Sequence, residues 1–84
     1  MKTYLSRTWL NKKNSSFAGN TTAYHGKHQS RKGLIDTHFR ISDCATSIYM
    51  HPEVKDKKNK AYIVKLRKLA REATRFANWL ENNS

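Results

Sequence analysis

The chain has 84 residues, and its 17 Lys and Arg against six Asp and Glu give a net charge of +11. This length allows one domain, and a chain this short buries only about 60% of its unfolded surface on folding. Aromatic residues make up 11% of the chain, which argues against a disordered tail. So large an excess of positive charge makes a polyanion the simplest partner, and nucleic acid is the first candidate.

Cysteine content and hydropathy indicate the compartment. Cys44 is the single cysteine of the sequence, so no internal disulfide can form and a reducing compartment is the natural setting. The mean hydropathy is −0.90, and no apolar run approaches the roughly 20 residues of a membrane span. The first residues lack the apolar core of a secretory signal. We therefore expect a cytoplasmic protein without a membrane partner.

The first half of the chain has the composition and the alternation of a β-sheet. Thr3–Leu10 and Phe17–His25 predict a hairpin joined by the polar loop Asn11–Ser15. Leu34–Ser42 is the clearest strand, because its apolar and polar residues alternate with a period of two. A turn then leads to Ala45–Met50, and the two segments predict a second antiparallel hairpin.

The second half of the chain, residues 53–82, predicts one long helix. Pro52 suits a helix entrance, and Glu53 and Asp56 place negative charge near the positive end of the helix dipole. The polar run that follows is a poor helix interior, so we expect the regular helix to begin near Lys60. Six residues at spacings of three and four form an apolar stripe: Tyr62, Leu66, Leu69, Ala73, Phe76 and Leu80.

Together these elements predict an α+β fold, in which a small antiparallel sheet of three or four strands is packed by one long C-terminal helix. We expect the apolar stripe to form the core. A domain with so thin a core often gains stability by self-association, so we also expect a homodimer.

Cations cluster on the side of the predicted helix opposite the apolar stripe. This basic helix face consists of Lys57, Lys60, Arg67, Lys68, Arg71 and Arg75. A solvated helix face normally mixes charges of both signs, whereas Glu72 is the one acid at the margin here. Cations crowded in this way repel one another until an anion neutralises them, which predicts contact with phosphates.

Further cations and aromatic rings interleave in the first half of the chain. The basic loop, residues 26–33, carries Lys27, Arg31 and Lys32, and Arg40 follows on the clearest strand. Flat rings beside cations suit single-stranded nucleic acid, whose bases stack on rings while its phosphates meet Lys and Arg. We expect most rings to be buried, with Tyr24 and Trp79 the leading candidates for exposed stacking rings.

Metal binding and catalysis are weaker interpretations of the histidines. His25 and His28 with His38, Cys44 or His51 contain zinc-ligating residue types, but their spacing matches no recurrent zinc site. The same histidines beside Arg40 or Lys32 contain the groups of a small nuclease, an acid/base pair with a cation for the phosphate. No nucleotide-binding or metalloprotease motif is present. We therefore expect a protein without metal or cofactor that is not an enzyme.

In its basic helix, Lys57 to Arg75, and its basic loop, Lys27 to Lys32, the chain resembles the small basic early proteins of T-even-type bacteriophages. Within that group it is similar to the TifA family of RNA-binding antitoxins. The resemblance implies a phage factor in the bacterial cytoplasm that binds RNA and thereby inhibits a host ribonuclease toxin. The alternative is an inhibitor that docks directly onto an acidic surface of a host enzyme or polymerase.

Absence of a helix-turn-helix pattern favours RNA over DNA. The sequence therefore predicts a sequence-tolerant RNA-binding protein, with DNA as the second choice and a small nuclease as the third function.

Overall fold

The computed structural model describes residues 2–11, 19–43 and 46–83. It contains four strands, β1 (Tyr4–Trp9), β2 (Gly19–Lys27), β3 (Ile35–Asp43) and β4 (Thr46–Met50), followed by one helix, α1 (Lys60–Asn83). The predicted α+β fold is confirmed. The chain divides into two compact units, Met1–His51, which holds the sheet, and Pro52–Ser84, which holds the helix.

The sheet is an antiparallel meander in which the strands lie in chain order. Both predicted hairpins are present, since β1 pairs with β2 and β3 pairs with β4. β2 and β3 form the longest pairing, from Gly19 opposite Asp43 to Lys27 opposite Ile35. The predicted loop Asn11–Ser15 lies, apart from its first residue, outside the described residues. Of the predicted turn at Ser42–Cys44, Ser42 and Asp43 instead end β3, and Cys44 lies outside the described residues.

Strand alternation gives the sheet two chemically different faces. One face carries the apolar side chains of β3 and β4, including Phe39, Ile41 and Ile48, as the period-two pattern predicts. The other face carries polar, basic and aromatic side chains. The register sets Tyr24 opposite His38 and Arg40 opposite Tyr49 on that second face.

The helix begins at Lys60, as the sequence predicts, and the seven residues before it form turns instead of helix. The carboxylate of Asp56 accepts the N–H groups of Ala61 at 3.3 Å and Tyr62 at 3.0 Å. These donors have no partner inside the helix, so Asp56 caps its N-terminus. Asn59 has φ of 57°, a left-handed conformation that asparagine tolerates well.

The apolar stripe does not form a core along its whole length. Tyr62 is buried and Leu66 is half-buried, but Leu69 is 37% exposed and Phe76 is 62% exposed. The prediction that the stripe is core is therefore wrong for its C-terminal half. Helical periodicity shows that a face is apolar, but it does not show what covers that face.

Burial of the rings also differs from the prediction. Among the described residues Tyr62 is the one buried ring, while Tyr4, Trp9, Tyr49, Phe76 and Trp79 are exposed. Tyr4, Trp9 and Tyr49 belong to a single-layer sheet, and the described residues of its unit contain no helix that could cover them. In the described part of the chain, no helix has the length and hydropathy needed to cross a membrane.

Candidate nucleic-acid interface

Four rings form one continuous cluster on the polar face of the sheet. His38 is at its centre, with ring centroids of Tyr24, Tyr49 and His51 at 5.8, 5.9 and 6.0 Å. Tyr49 and His51 are nearly parallel, with an interplanar angle of 7°. We call these four residues the ring platform. Ring planes on an antiparallel sheet are the kind of surface on which single-stranded bases stack.

Arg40 lies beside the ring platform and is held from two sides. Its Nη2 donates to Oδ1 of Asn20 at 3.3 Å and to Oγ1 of Thr22 at 3.2 Å. Its guanidinium carbon lies 6.0 Å from the ring centroid of Tyr49, within cation–π range. Both oxygens belong to neutral side chains, so these hydrogen bonds orient the guanidinium without neutralising it.

The charge of Arg40 has no counterion among the described residues, whose ion pairs all involve other side chains. Its Nε is also the one buried side-chain nitrogen or oxygen in the described part of the chain that lacks a hydrogen-bond partner. A half-buried cation that is oriented but not neutralised attracts an anion, because partial burial weakens the screening by water. A phosphate beside the rings meets that requirement.

His38 makes a second polar contact on this face. Its Nδ1 lies 3.2 Å from Oδ1 of Asp36, and both side chains are partly buried. The carboxylate fixes the orientation of the imidazole ring. The centre of the ring platform is therefore held in place by a hydrogen bond as well as by ring contacts.

Tyr24 connects the ring platform to the basic loop. Its hydroxyl donates to the carbonyl of Lys27 at 2.9 Å, so the ring lies along the strand over Gly26. A Cβ on Gly26 would come within 2.6 Å of the Tyr24 hydroxyl oxygen and 2.9 Å of Cζ. Glycine at this position is what allows the tyrosine to lie flat against the backbone.

The basic loop is organised by His28. Its Nδ1 accepts the backbone N–H groups of Ser30 at 3.2 Å and Arg31 at 3.1 Å, and the backbone N–H of His28 donates to the carbonyl of Leu34 at 2.9 Å. Gly33 has φ of 81°, a left-handed conformation that glycine adopts without strain. The turn surrounds an open concavity of about 470 Å³ lined by Lys27, His28, Arg31, Lys32, Gly33, Leu34 and Ile35.

Five of the six predicted cations of the basic helix face lie on α1 and are exposed: Lys60, Arg67, Lys68, Arg71 and Arg75. Lys57 lies in the turn before the helix, so its angular assignment to this face is wrong. Arg75 pairs with Glu72 at 3.2 Å, an exposed pair worth about 0–1 kcal/mol. The other four have no carboxylate partner among the described residues.

The structure thus groups the predicted site residues by unit. Tyr24, Arg40 and the basic loop belong to the sheet unit, while the basic helix face and Trp79, which is 59% exposed, belong to the helix unit. His38, Tyr49 and His51 were not predicted as binding residues. Alternation on β3 places His38 and Arg40 on one face, but adding Tyr49 and His51 requires the β3–β4 register.

The histidines that the sequence offers for a zinc site lie at different places in the sheet unit, and Cys44, the other candidate ligand, lies outside the described residues. His25 lies on the face of the sheet opposite His38, with its Nδ1 at 2.7 Å from Oγ1 of Thr37, and His28 organises the loop. Within residues 2–11, 19–43 and 46–83, no three His, Cys, Asp or Glu side chains group in a way that would hold a metal ion.

Comparison with known proteins identifies no relative of this chain. No protein-family model, no curated protein and no solved structure matches the chain. The chemistry of the ring platform, the basic loop and the basic helix face is therefore the basis for any functional assignment.

Proposed function

We propose that this protein binds single-stranded RNA with little sequence preference. The observation that carries the proposal is the ring platform with Arg40 beside it, which is oriented and has no carboxylate partner among the described residues. Bases stack on the rings, since each base has a flat π face whatever its sequence. Arg40 and the basic loop then meet the phosphates of the same strand.

The second source of affinity is the basic helix face. Among the described residues, only Arg75 of these exposed cations has a carboxylate partner. Contact of the cations with phosphates releases condensed counterions from the strand, which favours binding. Contacts of this kind carry no sequence information. We infer a broad preference for unpaired RNA, with single-stranded DNA as the weaker ligand.

The biological outcome that we propose is inhibition of a ribonuclease toxin that is itself held on the bound RNA. This step is supported by the resemblance to small phage antitoxins and by the charge of the chain. If the protein instead docks directly onto an acidic protein surface, RNA is dispensable. Purification at low salt separates the two, because an RNA binder carries along material that absorbs at 260 nm and loses it after nuclease digestion.

The direct test measures affinity for a labelled unstructured RNA as a function of salt concentration. Neutralising about four phosphates on a single strand gives a slope of log K against log salt near −3. Replacing Arg67, Lys68 and Arg71 by Glu is expected to weaken binding strongly and to flatten that slope. These side chains are exposed, so the circular dichroism spectrum should remain that of the folded protein.

A matched control replaces three exposed lysines outside the proposed surfaces by Glu: Lys2, Lys55 and Lys58. Both triple variants change the net charge by the same amount. The proposal requires the helix variant to lose far more affinity than the control. Equal losses would mean that net charge alone attracts RNA, and wild-type protein without salt-dependent binding would refute the function.

A second candidate function, metal-independent RNA cleavage, is favoured by one specific arrangement. His38 is paired with Asp36, His51 lies 6.0 Å away between ring centroids, and Arg40 lies on the same face. Two imidazoles and a cation are the groups that cleavage of RNA through its 2′-hydroxyl uses. Binding remains the primary proposal, because the same groups are explained by stacking and phosphate contact.

A further inference from the structure

Part of the apolar stripe is exposed along α1. Leu69 and Phe76 are exposed, and Ala73 lies between them on the same face of α1. They border an open concavity of about 650 Å³, lined by Leu69, Glu72, Ala73, Arg75, Phe76, Asn78 and Trp79. We infer that this surface is a self-association site, which packs against the same surface of a second copy of the chain in antiparallel orientation.

The spacing of the stripe is that of a coiled-coil seam. Leu69, Ala73, Phe76 and Leu80 follow one another at intervals of four, three and four residues, which makes them alternate d and a positions of a heptad repeat. In proteins, packing of the apolar face supplies most of the stability of a helix, so a partner for the exposed part of this stripe would stabilise α1. Another helix with the same spacing fits this seam.

Side-chain size favours the antiparallel orientation. In an antiparallel pair each a position faces a d position of the other helix, so Ala73 of one copy faces Phe76 of the other. The largest side chain of the seam then fills the space above the smallest, and Leu69 faces Leu80. A parallel pair in register would set Phe76 against Phe76 and Ala73 against Ala73, which leaves one layer crowded and the next underfilled.

The flanking positions agree with this orientation. Beside the seam, Ala70 of one copy lies near Ala77 of the other. Their methyl groups allow the two backbones to approach closely. On the other flank, Glu72 of one copy lies near Trp79 of the other, so no two like charges meet there.

Charge along the helix gives an independent argument for the same partner and orientation. Residues 60–71 carry five cations and no acid, whereas residues 72–83 carry Arg75 against Glu72 and Glu81. A parallel pair would set two segments of charge +5 side by side. The antiparallel pair places them at opposite ends and brings each toward the weakly acidic end of the other helix, so the repulsion falls.

The first experiment determines the mass of nuclease-treated protein by sedimentation, at a salt concentration that prevents RNA from bridging two copies. The expected mass is twice the 9.8 kDa of one chain. Phe76→Glu places a charge in the seam and is expected to give the single-chain mass. Val64→Glu is the matched control, because Val64 is an exposed apolar residue of the same helix outside the seam, and it should retain the double mass.

The second experiment measures orientation by the distance between nitroxide labels on the two copies, in a Cys44→Ser background. With Leu69 facing Leu80, labels on Val64→Cys are offset along the axis by about 32 Å, from a rise of 1.5 Å per residue. Labels on Thr74→Cys are nearly level with each other. A parallel pair would give similar short distances at both sites.

Three results would overturn the inference: a single-chain mass for nuclease-treated wild-type protein, a double mass for Phe76→Glu, or short distances at both labelled sites. The first two concern self-association itself and the third concerns its orientation. None depends on RNA binding, so the inference stands or falls separately from the proposed function.

Discussion

Tyr49 is the residue at which base stacking and phosphate contact can be separated. Its ring is 54% exposed, lies nearly parallel to His51 and receives the guanidinium of Arg40 at 6.0 Å from its centroid. Stacking of one base on an aromatic ring is worth about 1–3 kcal/mol. Tyr49→Ala should therefore weaken RNA binding about 5- to 150-fold.

The salt dependence of that variant is as informative as its affinity. Replacing a tyrosine by alanine removes no cation, so the change should lower log K by a constant amount and leave the slope against log salt unchanged. Tyr49→Phe keeps the ring and should bind nearly as the wild type does. Tyr4→Ala is the matched control, because Tyr4 is an exposed ring on the opposite face of the sheet.

Fluorescence anisotropy with a labelled single-stranded RNA, repeated at several salt concentrations, measures both quantities. Base stacking on the ring platform is refuted if Tyr49→Ala binds as tightly as the wild type, because an exposed ring of the platform then contacts no base. It is also refuted if Tyr4→Ala causes the larger loss, because the binding face would then be the apolar one.

Three further predictions concern the supports of the site. Asp56→Ala should lower the free energy of unfolding of the helix by about 0.5–2 kcal/mol. Circular dichroism should show lower helicity and a thermal transition at a lower temperature, and Asp56→Asn should lose less stability. Gly26→Ala should displace the Tyr24 ring, because the added methyl group would lie 2.6 Å from its hydroxyl oxygen, and should reduce RNA affinity as Tyr24→Ala does. His28→Ala removes the acceptor for two loop N–H groups and should weaken binding about 2- to 12-fold, from the 0.5–1.5 kcal/mol of one hydrogen bond; His28→Asn, which keeps an acceptor, should be closer to wild type.

The sequence alone was sufficient to predict the strands and the helix, but it was not sufficient to predict what packs against them. The alternation of Leu34–Ser42 predicts which side chains of β3 share a face, and the helix start near Lys60 follows from the polar run before it. Both predictions depend only on residues that are close to one another in the chain. Whether Phe76 is covered depends on a partner surface, which a periodic pattern does not specify.

The ring platform could not be predicted for a related reason. His38 is on one strand and Tyr49 on the next, and a shift of one residue in their register would move Tyr49 to the apolar face. The turn between those strands has no sequence that fixes its type. Side-chain alternation therefore predicts which residues of one strand share a face, but the position of Arg40 beside Tyr49 follows only from the pairing of β3 with β4.

The last prediction separates RNA binding from RNA cleavage. If His38 and His51 acted as acid and base, one would take the proton of a 2′-hydroxyl as its oxygen attacks phosphorus, and the other would protonate the leaving 5′-oxygen. Arg40 would stabilise the extra negative charge. That reaction needs a 2′-hydroxyl, so DNA would bind but would not be cut.

We expect purified protein to leave a labelled RNA intact, with or without a chelator, under conditions in which more than half of the RNA is bound. A phosphodiester aligned for cleavage must lie between the two imidazoles, whereas stacking places bases on the faces of these rings and excludes the phosphate from that space. Cleavage that disappears in His38→Ala and His51→Ala, and on a substrate with 2′-deoxyribose throughout, would refute this expectation. Those variants should weaken binding only by the stacking contribution, about 1–3 kcal/mol each, so loss of cleavage with retained binding would assign the two histidines to catalysis.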